Sequence, residues 1–470
     1  MSQNKYQVLA SNTIIFAIGN ILVKLISFFL MPLYTSILTA EQYGVAELLN
    51  SSIEIVLPIM TLCIIDALYR FSIDKDIEPR SLFTNAAVTV LIGDLLVCSL
   101  GAAVFLVTKY EYTMHFCLLY ISITFYKLTT QFARGLGHAK RFSLYGVLNA
   151  LLLVLSNYIL LVKSGCGIKG YLISFAIGYA VSGITALACS SELCYFSIYK
   201  FDKLLLKSML RYSVPETPNM LSWWVNSLSD RYIVLFFWGP SLTGLYAAAS
   251  KLPALVNVGT TIFQQAWQFS TAVEVDTKSE DKSAFFSNVF KVYSGGCILL
   301  CTFLVLINKI ICKILLKSDF YSAWKFVPLL LLAAMFGAFS TYFGTFYNAI
   351  KDNNKLMVST LLGATVNIVL NFLLIPKSGG IGAAIATVIS YALIAIIRAK
   401  DIIVRMCISV NYQKLGIQIT CLILYVVWSS LLDSYVTYIV GLVLMIGLLA
   451  TEYKTIQLLI NKFFGALRRK

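Results

Sequence analysis

Residues 154–165 read VLSNYILLVKSG and residues 368–379 read IVLNFLLIPKSG, the same pattern at a constant offset of 214. Asn157 aligns with Asn371, and Lys163-Ser164-Gly165 aligns with Lys377-Ser378-Gly379. Earlier in each half, Gly44-Val45-Ala46 and Gly244-Leu245-Tyr246, at an offset of 200, each open a long apolar run behind a short polar turn. The repeated unit is therefore a set of apolar helices. Internal repeats of this kind are the hallmark of transporters whose halves move against each other about a central site.

The composition agrees. Of 470 residues, 59% are hydrophobic and only 13% charged, whereas a soluble domain carries roughly a quarter charged residues. A spanning helix needs about 20 mostly apolar residues. On that length the apolar runs read as fourteen spans, near 13–38, 46–69, 82–107, 113–133, 142–162, 170–191, 212–237, 245–270, 286–308, 326–349, 356–375, 380–398, 415–432 and 434–451. Continuous apolar segments of this length exclude an outer-membrane barrel, whose strands alternate. The expected fold is an all-α polytopic membrane protein. Two six-helix lobes, residues 1–207 and 208–406, would be related by a pseudo-twofold axis along the membrane normal. Residues 407–470 would add two spans and a basic tail.

A net charge of +15 would suggest nucleic acid in a soluble chain. Here most Lys and Arg sit at helix ends, so the charge sets orientation instead, with both termini cytoplasmic. The main exceptions are Lys309, Lys313, Lys317 and Lys325, three of which stack on one helix face and would snorkel outward. The first apolar run lacks a small-residue cleavage site and reads as a span rather than a removed leader. The longest polar connections, 192–211 and 271–285, are too short for an appended soluble domain. In the first of them, Lys200, Lys203, Lys207 and Arg211 interleave with Leu204, Leu205, Leu206 and Leu210. That pattern fits either an amphipathic helix on the inner leaflet or a plain basic linker. Eleven cysteines without CxxC pairs, and only two histidines, point to no metal site and no cofactor.

Function is sought in the charges inside spans, because each costs roughly 2.5–3.5 kcal/mol at a helix centre. The cationic candidates for substrate binding are Lys24, Arg231 and Lys251; Lys127, in the fourth span, is a further charge inside the membrane. Trp224, Asn226, Ser229 and Asp230 would line the cavity, the polar ones by hydrogen bonds and the ring by stacking on sugars, although the tryptophans of this span also suit an interfacial belt. Glu54, Asp66 and Asp94 are the candidates for proton or sodium coupling. Each has a structural alternative. Lys24 suits a bridge to Glu54, Asp94 suits a pair with Lys127, and Glu47 and Lys251 suit the interface. Glu54 and Asp66 would lie roughly 18 Å apart on one continuous helix at 1.5 Å per residue, with Asp66 held ionised by Arg70 one turn away. Asp230 and Arg231 are adjacent and point about 100° apart.

Several of these segments resemble a known family. Asn12-Thr13, Gly19-Asn20, Lys24, Pro32-Leu33-Tyr34-Thr35 and Tyr43-Gly44 look like the opening of bacterial polysaccharide repeat-unit flippases. Pro215, Pro218-Asn219, Asp230-Arg231 and Gly244-Leu245-Tyr246 resemble the start of their second half. The resemblance is to the polysaccharide transporter branch of the multidrug/oligosaccharidyl-lipid/polysaccharide superfamily. It implies twelve to fourteen helices in two lobes and no covalent catalysis. It also implies a cationic cavity, onto which Lys24, Arg231 and Lys251 map. The implied activity is transfer of undecaprenyl-pyrophosphate-linked oligosaccharide to the outer leaflet of the bacterial cytoplasmic membrane. Membrane lipids, and a polymerase and glycosyltransferases, would be its partners. A multidrug extruder of the same superfamily is the nearest alternative; a membrane glycosyltransferase or polymerase would need a larger outer loop than this chain has.

Overall fold

The computed structural model describes residue 26 and residues 28–74, 76–189, 196–276, 282–350, 352–432 and 435–467. Every regular element among them is helical, and ten of the helices are long and apolar enough to cross a membrane. The protein is an all-α, multi-pass membrane protein. By contacts it divides into two compact units, residues 1–228 and 229–470.

In the first unit, α1 (Met31–Ile37) and α2 (Ala40–Thr61) are separated by Leu38 and Thr39. The Thr39 side chain and Gln42 form a reciprocal capping box that starts α2, which satisfies two of the otherwise orphaned first-turn amides. The second expected span is not one continuous helix. α2 ends at Leu62 and Cys63, both with positive φ (50° and 54°), and α3 (Ile64–Ser72) begins afresh. Pro58, which cannot donate to the carbonyl one turn back, lies just before this break. α4 (Pro79–Thr108), α5 (Thr113–Gly135), α6 (Ala139–Asn157), a π turn over Tyr158–Lys163 and α7 (Gly167–Cys189) complete the spans of this unit before the linker.

The linker is fastened to the unit that precedes it. Ser81 donates to the Lys200 carbonyl at 2.7 Å, and Thr84 accepts from Ser197 N–H at 3.1 Å. Asn85 pairs with the Asp202 backbone through both amide atoms, at 3.0 and 3.2 Å. Asp202 then caps α8 (Lys203–Ser213) by accepting from Leu204 and Leu205 N–H. Leu205, Leu206, Met209 and Leu210 pack on a core built from α3, α4 and α5, with Ile64, Leu68, Leu82, Phe83 and Phe132 at its centre. The amphipathic reading is thus corrected in one respect: the apolar face of α8 is covered by protein, and Leu204 is left exposed.

α9 (Glu216–Ala249) crosses from the first unit into the second and is broken at Gly239, where φ is 79° before Pro240. α10 (Pro253–Asp276) follows a second break at residues 250–252, so the expected eighth span over 245–270 is two pieces. α11 (Lys282–Leu306), α12 (Asn308–Leu315) and α13 (Val327–Ala349) lead to α14 (Asn353–Arg405). At 53 residues α14 is too long for one crossing, and Gly379 (φ 56°, ψ −130°) divides it into the eleventh and twelfth spans. α15 (Tyr412–Leu431) and α16 (Val436–Leu467) pack on α11 and α13.

The repeat seen in sequence reappears as backbone geometry. Gly165 (φ 62°) and Gly379 (φ 56°), the last residues of the two quoted stretches, both leave the helix through the left-handed region. Asn157 and Asn371 are both fully buried. The Asn157 amide donates to the Leu153 carbonyl at 2.7 Å and that of Asn371 to Asn367 Oδ1 at 2.9 Å. The expected snorkelling of Lys309 is not observed. It is buried, donates to the Leu432 carbonyl at the end of α15 at 2.9 Å and lies 4.4 Å from the Trp324 ring centre. A cation at a helix C-terminus, over an aromatic face, is compensated where it stands.

Candidate functional site

The ionisable side chains inside the spans fall into two kinds, those locked into the protein and those accessible. In the first unit Glu47 is locked. It is buried, and its Oε1 accepts from Tyr43 at 3.1 Å and from Tyr171 at 2.9 Å. Tyr34 packs edge-on against Tyr171, with ring centres 5.0 Å apart. The interfacial reading of Glu47 is therefore replaced by a tyrosine-caged carboxylate joining α2 to α7. Asp94 is also locked, but not to Lys127. It is buried and accepts from Thr124 of α5 at 3.0 Å.

Lys127 belongs to the accessible kind, and so do Glu54 and Asp66. The Lys127 ammonium lies within electrostatic reach of both carboxylates and of Cys63 at the α2–α3 break. Asp66 has Lys127 and Glu216 as its electrostatic neighbours, so the pairing expected with Arg70 gives way to one with Lys127. Because the break places Glu54 and Asp66 on different helices, the straight-axis separation does not describe them; one lysine serves both. Thr217 donates to Cys63 Sγ at 3.5 Å, which brings the start of α9 beside the same break. Trp224, further along α9, donates from Nε1 to the Ser51 carbonyl at 3.4 Å. Lys24 lies outside the described residues, as does the side chain of Asn226.

In the second unit Asp230 is buried and accepts from the Tyr246 hydroxyl at 2.5 Å and from the Arg231 amide at 2.9 Å. Ser229 beside it is buried as well, while Arg231 is only half-buried. The adjacent pair thus splits as its helical geometry requires, with the acid turned inward and the guanidinium more accessible. Lys251 does not lie in a helix but in the turn between α9 and α10, half-buried. Each unit thus holds a buried carboxylate that accepts from tyrosine, Glu47 from Tyr43 and Tyr171 and Asp230 from Tyr246. Among the described residues no group of three or more His, Cys, Asp or Glu side chains is arranged to hold a metal.

Two charges escaped the reading of the sequence. Arg398 is 6% exposed, and its guanidinium donates to Ser359 Oγ, the Ser340 carbonyl and hydroxyl, the Leu356 carbonyl and Thr360 Oγ1, at 2.8 to 3.3 Å. Glu452 is 3% exposed and bonded to Lys414 and Gln418. Both lie at or just past an expected span end, where a charge reads as solvated. Each is instead enclosed by neighbouring helices, a fact that spacing along one helix does not reveal.

A family model described as polysaccharide biosynthesis protein matches residues 9–269. The chain belongs to the polysaccharide biosynthesis protein family. A probable low-salt glycan biosynthesis flippase of Haloferax volcanii is 23% identical over 315 residues, which cover 66% of this chain and 62% of that protein. This chain thus matches less than two thirds of that relative's length. Among solved structures, the lipid II flippase MurJ in an inward closed conformation aligns with a TM-score of 0.72 at 13% identity, covering 94% of this chain and 99% of that one. An inward-facing multidrug resistance MATE transporter of the MOP superfamily aligns at 0.68 and 14%, covering 83% and 98%. At these identities the likeness establishes a shared fold.

Proposed function

We propose that this protein is a flippase that carries polyprenyl-pyrophosphate-linked oligosaccharide repeat units, on an undecaprenyl-type lipid, from the inner to the outer leaflet by alternating access. Family membership supports the glycan class, and the flippase named among its relatives supports the reaction. The observation that carries the reading is the retention of accessible cations, Lys127 and Arg231, within apolar helices. A structural role seldom repays that expense, whereas a pyrophosphate does: lysine offers a point charge and arginine a planar fork for phosphate oxygens. Lys24 and Lys251 are assigned to the same task. Trp224 and Asn226 would meet the glycan, and Glu54 or Asp66 would exchange a proton or sodium ion. The setting is a bacterial cytoplasmic membrane with both termini inside, alongside glycosyltransferases and a polymerase.

The test is complementation of a strain lacking the protein. Arg231→Ala and Lys24→Ala are expected to insert normally yet lower surface polymer about tenfold or more, the effect of losing one charge-assisted contact. Arg231→Lys retains activity if charge alone is read and loses it if the bidentate fork is needed. Wild-type polymer in both alanine variants would sink the proposal. A change in drug susceptibility with polymer unaltered would assign the protein to drug extrusion.

A further inference from the structure

A cavity of about 720 Å³ opens in the second unit between α11, α15 and the 452 region of α16. It involves none of the residues assigned above to transport, and two of its three walls come from helices outside the duplication. One wall is a polar stripe on α11, formed by Ser283, Ser287, Lys291 and Ser294, with Asn288 beside it. Residues at these spacings share one helix face. The facing wall is Asn411, Lys414 and Gln418 of α15, again one face of one helix. Glu452 closes the cavity: its Oε1 accepts from Lys414 Nζ at 2.5 Å and from Gln418 Nε2 at 2.9 Å. The floor is tightly fitted, since a Cβ on Gly295 would come within 3.0 Å of the Glu452 carboxyl carbon.

The chemistry of the walls selects a ligand class. Lys414 is offset by Glu452, so Lys291 leaves one net positive charge, and its side chain is exposed. The first turns of α11 and α15 both border the cavity, and helix N-termini favour anions. A metal ion finds one carboxylate there, already paired with a lysine. Ala284, Phe290, Val410 and Leu415 give the cavity an apolar share, which suits the carbon skeleton of a guest whose polar groups meet the hydroxyl, amide and ammonium groups of the same walls. The volume exceeds that of a bare phosphate and falls in the range of small-molecule sites, about 300–1,000 Å³. We propose that this cavity binds a singly charged phosphate ester bearing free hydroxyls, of the phosphoglycerol type, with Lys291 on the phosphate and the serine and asparagine side chains on the hydroxyls. Such a group is presented by a glycerophospholipid headgroup or by a soluble sugar or glycerol phosphate. Its occupancy would hold α15 and α16 against α11.

Native mass spectrometry of the purified full chain, exchanged into mixed phosphatidylglycerol and phosphatidylcholine, tests this. Selective retention of phosphatidylglycerol that millimolar glycerol 3-phosphate fails to displace would support the lipid source; displacement, or direct binding of glycerol 3-phosphate by calorimetry, would support the soluble one. In either case Lys291→Gln is expected to weaken binding about tenfold, and Asn288→Ala, a second exposed position, to weaken it less. The proposal is overturned if neither ligand binds in preference to phosphatidylcholine, or if Lys291→Gln binds as the wild type does.

Discussion

At the scale of single residues, Arg398 separates charge from hydrogen bonding. Its guanidinium is buried among neutral acceptors on α13 and α14. Those acceptors are not stranded without it. Ser359 and Thr360 also donate to the Leu356 carbonyl, at 2.8 and 2.9 Å, and the main-chain carbonyls belong to helices. Arg398→Met removes a desolvated charge, keeps most of the volume and is expected to change stability by less than about 1 kcal/mol. Arg398→Lys keeps the charge but surrenders the planar fork and is expected to lose about 2 kcal/mol. Thermal unfolding in detergent ranks the two; a lysine variant at least as stable as the methionine one would refute the argument. Glu54 and Asp66 form a second test. Both flank Lys127; Glu54, on the spanning helix α2, is taken as the exchanging one because it stands nearer the span centre. Reconstituted Glu54→Gln is expected to lose substrate-dependent ion flux while Asp66→Asn keeps it. Unchanged flux in Glu54→Gln would mean that consumption of product outside drives the cycle.

At the scale of elements, the two left-handed glycines make a controlled pair. At Gly165 no atom lies within 4 Å of the place a methyl group would take, so Gly165→Ala carries only the backbone strain, about 1–2 kcal/mol. Gly379 adds Leu242 Cδ2 at 2.9 Å and a φ/ψ combination that only glycine adopts readily. Gly379→Ala is therefore expected to cost more, read as a larger fall in melting temperature; equal falls would contradict this. The pair also shows what was legible beforehand. The duplicated Lys-Ser-Gly, and apolar runs of spanning length, announce helices, their approximate number and the place where each repeat turns. The break at Leu62–Cys63 was not legible, because leucine and cysteine are ordinary helix residues that nothing in the sequence marks for a positive φ. The partners of Asp94, Glu47 and Arg398 were hidden for a related reason. Charge suggests charge as its partner, whereas the neutral groups of Thr124, Tyr171 and Ser340 meet these side chains from other helices.

At the scale of the whole molecule, the distribution of Lys and Arg predicts the linker inside and the turn near residue 241 outside. In a cysteine-free background, a membrane-impermeant thiol reagent applied to intact cells is expected to label a cysteine placed at position 241 and spare one at position 203. Both are exposed, so the reverse pattern would invert the topology. The fastening of the linker bears on a different matter, the order in which the chain is made. Ser81, Thr84 and Asn85, and the core under α8, lie entirely upstream of residue 214. These described partners of α8 have already left the ribosome when α8 emerges. The first half can close its own base during synthesis, before any of the second half exists to compete for those surfaces.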